Sequence, residues 1–401
     1  MSTKPALTQA ALPGLDARAE ALRILAWWAA HTVDEARGGF YGEVDAYGRP
    51  VDGADKGSVL NTRLLWFFSA MAHRYGRADA LGLARRAFDY LLAHFLDPDH
   101  GGIYWRVDAQ GRVADGRKQA YAQAFFVYAL VEYYAATQEP FVLDLARRLR
   151  DKIEAVFWDE PFGGYVEAKS RDWGDLADQR LSERDLDCPK TMNTHLHILE
   201  AYTRLYQVAP DATAMSALRR VTALFLERFV DEPGRHLKLF FDRDWSDRTR
   251  SVSYGHDIEA SWLIWEAADA LGDAALTQRA RPIVLGLAEA TLEEGLVDGA
   301  VAYERGFDGH LDRDGEWWGQ AEGLVGFVNA WQMTGDDAYT TAAERLWTCV
   351  RKDFRGDESG EWTWYAAGAA KPVQSLASLW KCPYHNGRAM LELDRRLSRR
   401  A

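Results

Sequence analysis

Cysteine is scarce in this chain: Cys188, Cys349 and Cys382 are the three cysteines among 401 residues. An odd number without close spacing argues against a disulfide framework and against a cysteine-based zinc site. We therefore expect a protein of a reducing compartment, and the cytoplasm is the simplest location.

Several other signals are missing. The first fifteen residues lack the cationic flank and apolar core of a signal peptide, and no apolar run approaches the ~20 residues of a membrane span. No Pro/Gly/Ser-rich linker divides the chain, which favours a single domain over residues 1–401 despite the length. The formal net charge of −12 argues against nucleic acid and against an anionic membrane as partners.

A short glycine- and aromatic-rich segment recurs along the sequence. It begins as Gly38-Gly39-Phe40-Tyr41 and returns as Gly101-Gly102-Ile103-Tyr104, with looser versions downstream. The spacing of about 64 residues is typical of a repeat architecture. The six copies cover residues 38–45, 101–108, 163–167, 237–242, 301–305 and 360–364.

The stretches between these segments have helical periodicity, with apolar residues three and four positions apart. Five pairs of helices are predicted in order, and a sixth pair joins the two ends of the chain. Six pairs can close as an inner ring of helices within an outer ring, so we predict an all-α (α/α)6 barrel with short β-hairpin-like links. An open solenoid is the alternative, but it usually needs polar capping repeats, and none is evident. The predicted helices cover residues 61–75 and 78–95, 121–136 and 141–156, 194–206 and 212–229, 258–270 and 276–292, 321–333 and 339–354, and 385–397 with 17–31.

The first helix of each pair begins with unusual polar and aromatic residues, whereas surface helices usually begin with short caps such as Ser, Thr or Asp. We therefore expect these six helix starts to line an interior pocket, with Tyr121 and Glu322 among its candidate residues. A salt bridge is the other interpretation of Glu322. The starts cover residues 61–63, 121–123, 193–197, 255–259, 317–322 and 384–388.

Four stretches that contain or overlap these helix starts resemble the signature motifs of the N-acylglucosamine 2-epimerase superfamily, and those of its cellobiose 2-epimerase branch most of all. They cover residues 193–202, 253–262, 317–322 and 380–386. The resemblance runs from about residue 63 to residue 392. It implies an (α/α)6 barrel, a small-molecule sugar partner, and epimerisation at C2 of a reducing-end aldose without metal or cofactor. Matching positions imply His256 and His385 as the acid–base pair, and His197 as assisting ring opening. They also imply the following sugar contacts: Arg63, Asn193, Glu259, Glu304, Trp318 and Trp380.

Histidine suits this chemistry. Inverting C2 requires that the ring opens, that the proton alpha to the aldehyde leaves, and that it returns on the opposite face while the enediolate is stabilised. An imidazole with a pKa of about 6.5 serves as a base or, once protonated, as an acid near neutral pH. Two histidines on opposite faces give the epimer, whereas delivery of the proton to C1 gives the ketose. The sequence leaves open which outcome holds and which histidine is the base.

Two spacings constrain the side chains. His195 and His197 are two positions apart, so a helix directs them about 200° apart and one of them faces the pocket; this geometry disfavours a metal site. Glu259 follows His256 by three positions and shares its helix face, so it either orients that imidazole, contacts sugar or caps the helix.

An arginine at a helix N-terminus is electrostatically unfavourable, and Arg63 is therefore a ligand-binding candidate.

Alternative functions remain open. Free mannose is an alternative substrate, for a mannose 2-epimerase or a mannose isomerase. An (α/α)6 glycoside hydrolase would need two carboxylates flanking a glycosidic bond, and a non-enzymatic repeat scaffold is a third class. Residues 106–111, 173–187 and 303–318 are expected at the rim of the pocket. We expect a monomer or weak homodimer.

Overall fold

The computed structural model describes residues 12–356 and 360–398, and within these ranges the chain forms twelve α-helices and fourteen short strands. Six helices alternate with six others along the chain. The first of these sets is α1 (Ala17–His31), α3 (Ala78–Tyr90), α5 (Pro140–Phe157), α7 (Ala212–Leu224), α9 (Ala274–Ala290) and α11 (Asp337–Cys349). The second is α2 (Ser58–Tyr75), α4 (Ala120–Thr137), α6 (Met192–Val208), α8 (Tyr254–Leu271), α10 (Trp317–Thr334) and α12 (Tyr384–Ser398).

The even-numbered helices form a closed inner ring. Each contacts the next even-numbered helix, and α12 contacts α2 to complete the circle. Each also packs against an odd-numbered helix on its outer side, with α1 against α12, and α8 and α10 each contact a second one. The predicted (α/α)6 barrel is confirmed, including the pair formed by the two ends of the chain. The predicted single domain of residues 1–401 extends at both ends beyond the described residues.

Burial distinguishes the two rings. Every residue of α4 from 120 to 133 is buried, because a helix in the inner ring has neighbours on all sides. In α5 the buried residues recur at helical spacing, as in Val142, Ala146, Leu149 and Ile153, and the opposite face is solvated. Within the described ranges, no helix has both the length and the apolarity that crossing a bilayer requires.

A glycine permits the ring to close. A Cβ at Gly387 of α12 would lie 2.4 Å from Cε2 of Phe67 in α2. Such a contact is far inside van der Waals distance, so a larger residue at this position would force α12 and α2 apart.

The six repeated segments are the links between outer and inner helices, as predicted. In each unit a residue one to six positions after the outer helix pairs with the apolar or aromatic residue of the link. These pairs are Val33–Phe40, Leu96–Ile103, Trp158–Tyr165, Val230–Leu237, Leu296–Val301 and Arg355–Trp362.

The strands are short and pair in antiparallel fashion across these links. Two sheets have three strands, ordered β1-β2-β3 and β10-β13-β14, and four have two, namely β4-β5, β6-β9, β7-β8 and β11-β12. The strands are β1 (Lys56–Gly57), β2 (Arg106–Val107), β3 (Val113–Asp115), β4 (Lys118–Gln119), β5 (Ala168–Lys169), β6 (Lys190–Thr191), β7 (Val230–Asp231), β8 (His236–Leu237), β9 (Phe240–Phe241), β10 (Ser251–Val252), β11 (Leu296–Val297), β12 (Ala300–Val301), β13 (Glu304–Gly306) and β14 (Leu311–Asp312).

A buried lysine precedes four of the inner helices and pairs with an acidic residue of a link. Because a buried ammonium requires a partner, these lysines fix the links against the helix starts. Lys381 therefore has a structural role here, and its Nζ lies 2.9 Å from Glu361 Oε1. The other three pairs are Lys56–Asp34, Lys118–Asp97 and Lys190–Asp159.

Candidate active site

Three histidines of the inner ring meet in the interior of the barrel. His197 lies on α6, His256 on α8 and His385 on α12. The ring of Trp318 lies close to two of them: its centroid is 4.7 Å from the centroid of the His256 ring and 5.8 Å from that of the His385 ring. Tyr384 joins the third, because its ring lies 6.2 Å from that of His197. The sequence-predicted histidines therefore share one site.

His385 is held by a carboxylate from the neighbouring helix. Its Nδ1 lies 2.7 Å from Glu322 Oε1. Burial lowers the pKa of His385 well below its usual value, and the positive charges of Arg63 and Arg388 lower it further. Burial also raises the pKa of Glu322 to about 8, with a smaller contribution from Glu259 in the same direction. The Glu322–His385 pair therefore retains one exchangeable proton at neutral pH.

His197 has a carboxylate of its own. Its Nδ1 lies 3.0 Å from Glu200 Oε2, one turn further along α6. Glu200 also accepts hydrogen bonds from the Tyr384 hydroxyl and the Arg388 guanidinium. Although burial raises the pKa of this carboxyl, Arg388 and His197 lower it to about 2. Glu200 is therefore ionised at neutral pH, in contrast to Glu322.

His256 has a hydroxyl partner instead. Its Nδ1 lies 2.8 Å from Ser253 Oγ. Burial lowers the pKa of His256 to about 4, so its imidazole is neutral at pH 7. Gly255 makes room for Trp318 beside it, because a Cβ there would lie 2.6 Å from that indole ring.

Among the alternatives left open for Glu259, the structure shows no hydrogen bond between it and His256. Glu259 Oε1 instead accepts from Arg388 at 2.6 Å, and it lies 4.0 Å from His385 Nδ1. The same guanidinium reaches Glu322 at 2.7 Å. The interaction crosses from α8 to α12, and spacing along a single helix cannot reveal such a contact.

Arg63 lies in the second turn of α2, not at its N-terminus, because the helix begins at Ser58. The argument from an unfavourable helix dipole is therefore wrong. Arg63 is buried and donates to the Tyr121 hydroxyl at 2.6 Å. Its guanidinium also lies over the rings of Phe125, at 4.2 Å, and Tyr384, at 4.5 Å. The prediction that Arg63 and Tyr121 belong to one pocket is supported by this contact.

The remaining candidates lie just before or within the first turn of inner helices and in a strand. Trp380 is half-buried, with its ring centroid 6.0 Å from that of Tyr121. Asn193 is half-buried in the first turn of α6. Glu304, in β13, accepts a hydrogen bond from Ser251 Oγ at 3.2 Å. Their roles as sugar contacts stay predictions.

Two of the segments expected at the rim contact each other. Arg184, from residues 173–187, places its guanidinium 3.2 Å from Glu316 Oε1 just before α10. The Tyr365 hydroxyl lies 3.3 Å from the same oxygen. Glu316 also accepts from the Trp318 indole at 2.8 Å. A rim contact is thus connected directly to the aromatic wall of the site.

His195 takes no part in the site. Its Nε2 accepts from the backbone N–H of Tyr165 at 2.9 Å, and its Nδ1 lies 2.7 Å from the Thr191 carbonyl. Burial lowers its pKa to about 3, so it is a neutral structural residue. The two histidines therefore have separate surroundings, because His197 contacts Glu200 and Tyr121; that His197 faces the pocket stays a prediction.

Oxygen and nitrogen atoms of Glu259, Glu322 and His385 lie within 4.8 Å of one another, close enough for metal ligands. The Arg388 guanidinium, however, already pairs with both carboxylates. A metal ion there would have to displace this cation, so the residues fit a metal poorly.

Sequence reasoning missed the partners of the histidines. Glu200, Arg388, Tyr384 and Ser253 were not assigned roles, although each lies within four positions of a candidate histidine. The spacing of His197 and Glu200, three apart on one helix, was the available signal.

The fold and the site define a helical barrel whose inner ring brings three histidines together, two of them paired with carboxylates. The N-acylglucosamine 2-epimerase family model matches residues 39–389. The chain therefore belongs to this family and is a carbohydrate epimerase or isomerase.

Individual relatives agree. The chain is 44% identical over 374 residues to the cellobiose 2-epimerase of Bacteroides fragilis, covering 92% of this chain and 95% of that protein. It matches the structure of cellobiose 2-epimerase from Bacillus thermoamylovorans with a TM-score of 0.90 and 38% identity, covering 95% and 98% of the two chains. The D-mannose isomerase of Thermobifida fusca is 26% identical over 315 residues, 73% of each chain.

Proposed function

We propose that this protein inverts C2 of the reducing-end aldose of a disaccharide such as cellobiose or lactose. The observation that carries the proposal is the convergence of His197, His256 and His385 in one buried site, in which the histidine Nδ1 atoms are occupied by Glu200, Ser253 and Glu322. With Nδ1 occupied, each Nε2 is available for proton transfer. The similarity to cellobiose 2-epimerases supports the disaccharide as substrate.

The protonation states suggest the roles that the sequence left open. His256 is neutral at pH 7, because its pKa is lowered to about 4, and it is therefore the base that takes the C2 proton. The Glu322–His385 pair still holds a proton, because burial raises the pKa of Glu322 to about 8, and it is therefore the acid that returns one to the opposite face. Both imidazoles lie next to the ring of Trp318.

The enediolate between these steps needs positive charge or hydrogen-bond donors. We assign this role to Arg63, whose guanidinium is buried beside Tyr121 and cannot be neutralised near pH 7. Asn193, Glu259, Glu304, Trp318 and Trp380 complete the proposed sugar contacts. Arg388 holds the acidic side chains in place, so the proposed reaction needs neither metal nor cofactor.

Two alternatives are weaker. A mannose isomerase is disfavoured because the isomerase relative is less similar than the cellobiose 2-epimerases. A glycoside hydrolase needs carboxylates on both sides of a glycosidic bond, whereas Glu259 and Glu322 both bind the one guanidinium of Arg388. We further propose that the protein is cytoplasmic, a single domain, and a monomer or weak homodimer.

Product NMR in deuterated water tests the proposal, with cellobiose and mannose as separate substrates. We expect the mannose-ended epimer of cellobiose, with deuterium at C2, and slower turnover of mannose. Fructose from mannose as the main product, or release of monosaccharides from cellobiose, would contradict the proposal. His256→Ala and His385→Ala should each abolish turnover without lowering the melting temperature substantially.

A further inference from the structure

His197 and Glu200 form a buried pair that the C2 proton transfer does not use. Both lie on α6, and their side chains are 2% and 4% exposed. Nδ1 of the imidazole faces the carboxylate at 3.0 Å, and the ring is packed edge-on against Tyr121, with 5.0 Å between ring centroids. The imidazole is thus fixed on one side by a charge and on another by an aromatic ring.

The ionisation of Glu200 determines which nitrogen of His197 carries the proton. Arg388 and Tyr384 both donate to this carboxylate. They and His197 lower its pKa to about 2 against the effect of burial. An ionised carboxylate only accepts hydrogen bonds, so Nδ1 must be the protonated nitrogen. The lone pair of a neutral imidazole is then on Nε2.

We propose that Glu200 is a positioning residue that fixes His197 in this tautomer for opening the sugar ring, while the Glu322–His385 pair serves C2 alone. This inference rests on the proposed function, because it assigns a separate dyad to a step that precedes epimerisation. Each dyad has its own carboxylate, and both carboxylates are tied to Arg388.

The step balances without any further reactant. Nε2 of His197 takes the proton of the anomeric hydroxyl, the C1–O1 bond becomes a carbonyl, and the C1–O5 bond breaks with its electron pair passing to O5. The imidazolium then returns the proton to O5, and closure of the ring reverses the sequence. Both oxygens are bonded to C1, so a single imidazole reaches both. Glu200 stabilises the transient imidazolium throughout.

Ring opening has a readout that is independent of C2. Reclosure of the open chain interconverts the anomers, so the enzyme should accelerate mutarotation of freshly dissolved α-lactose above the spontaneous rate. Polarimetry follows this conversion, and deuterium incorporation at C2 follows epimerisation in the same sample.

Glu200→Gln is the principal test, because it keeps the shape and removes the charge. We expect enzymatic mutarotation and C2 exchange to fall together, by about 100-fold or more, with little change in KM. Glu322→Gln should instead lower C2 exchange and leave mutarotation at the wild-type rate. A merely structural role for Glu200 would instead raise KM or lower the melting temperature together with both rates, because it would act through the fold and not through the tautomer of His197.

The chain offers a matched control. Glu132 on α4 is also buried and binds a histidine and an arginine, with His73 Nδ1 at 3.1 Å and Arg204 Nε at 2.7 Å. Glu132→Gln should leave both rates unchanged. If Glu200→Gln does not fold, Glu200→Asp keeps the charge but withdraws the carboxylate from His197, and mutarotation should still fall.

Wild-type mutarotation in a folded Glu200→Gln or Glu200→Asp enzyme would overturn the inference. So would an equal loss of mutarotation in Glu322→Gln. Failure of the proposed function looks different: the wild-type enzyme would then produce no C2 epimer from any disaccharide, whatever the behaviour of Glu200.

Discussion

Replacing Glu322 by glutamine should remove the alkaline limb of the pH–rate profile. Burial raises the pKa of Glu322 to about 8, so about nine-tenths of the Glu322–His385 pairs hold their proton at pH 7. His256, with its pKa lowered to about 4, must be deprotonated to act as the base. We therefore expect kcat/KM of the wild-type enzyme to fall below about pH 4 and above about pH 8.

Glutamine does not titrate, and the pKa of His385 alone is lowered well below its usual value. The variant then lacks a proton donor for the second face of C2. Loss of a general acid lowers the rate about 100- to 10,000-fold. We therefore expect kcat to fall by a factor in this range and the alkaline limb near pH 8 to disappear.

The assay is epimer formation from cellobiose, followed by product NMR between pH 4 and pH 10, with the melting temperature measured at each pH. Glu132→Gln is the control and should keep the bell-shaped profile. A Glu322→Gln enzyme that still loses activity near pH 8, or that keeps wild-type kcat, would refute the assignment of this pair as the acid.

Three further predictions concern the rim, the charge cluster and the helix packing. Arg184→Ala should raise KM for cellobiose about tenfold with little change in kcat, because this side chain joins two segments expected at the rim, where the second sugar ring would bind. An equal rise in KM for mannose, which has no second ring, would contradict this role. Prolonged chelation should leave the rate unchanged, because Arg388 already neutralises the acidic cluster, and activity that returned only with an added divalent cation would count against this. Gly326→Ala should lower the free energy of unfolding by ~1–3 kcal/mol, because the new Cβ would lie 2.5 Å from Ile258 Cγ1. Gly82→Ala is the control, since a Cβ at this position of α3 meets no atom within 4 Å and should not destabilise the protein. Thermal unfolding of the two variants measures the difference.

The barrel was predictable because its signals are local. Helical periodicity and the six recurring links depend on residues near one another in the chain. The structure adds that link residues such as Phe40 and Ile103 pair with Val33 and Leu96. Helix starts were less well predicted. The inner helices begin up to four residues earlier than the apolar pattern indicated, as at Trp317, because buried aromatic and polar residues continue the helix without an apolar stripe.

The site divides in the same way. The histidines were predictable, since each lies in the first or second turn of an inner helix, and the two-residue spacing of His195 and His197 correctly predicted that one of them faces away from the site. The electrostatic partners of the histidines were not predictable. The spacing suggested that Glu259 could orient His256 on the same helix, but Glu259 accepts a hydrogen bond from Arg388 of another helix.

The sequence by itself therefore determined the repeat, the helical class and the family, and it named the histidines that are proposed as acid and base. The tertiary structure decided which carboxylate serves which histidine and which groups are ionised. The reason is physical: a helix fixes the direction of its side chains, but contacts between α6, α8, α10 and α12 exist only once the ring closes. Within that ring burial raises the pKa of both Glu200 and Glu322, but Arg388, His197 and Tyr384 lower that of Glu200, whereas the nearby carboxylates raise that of Glu322 further.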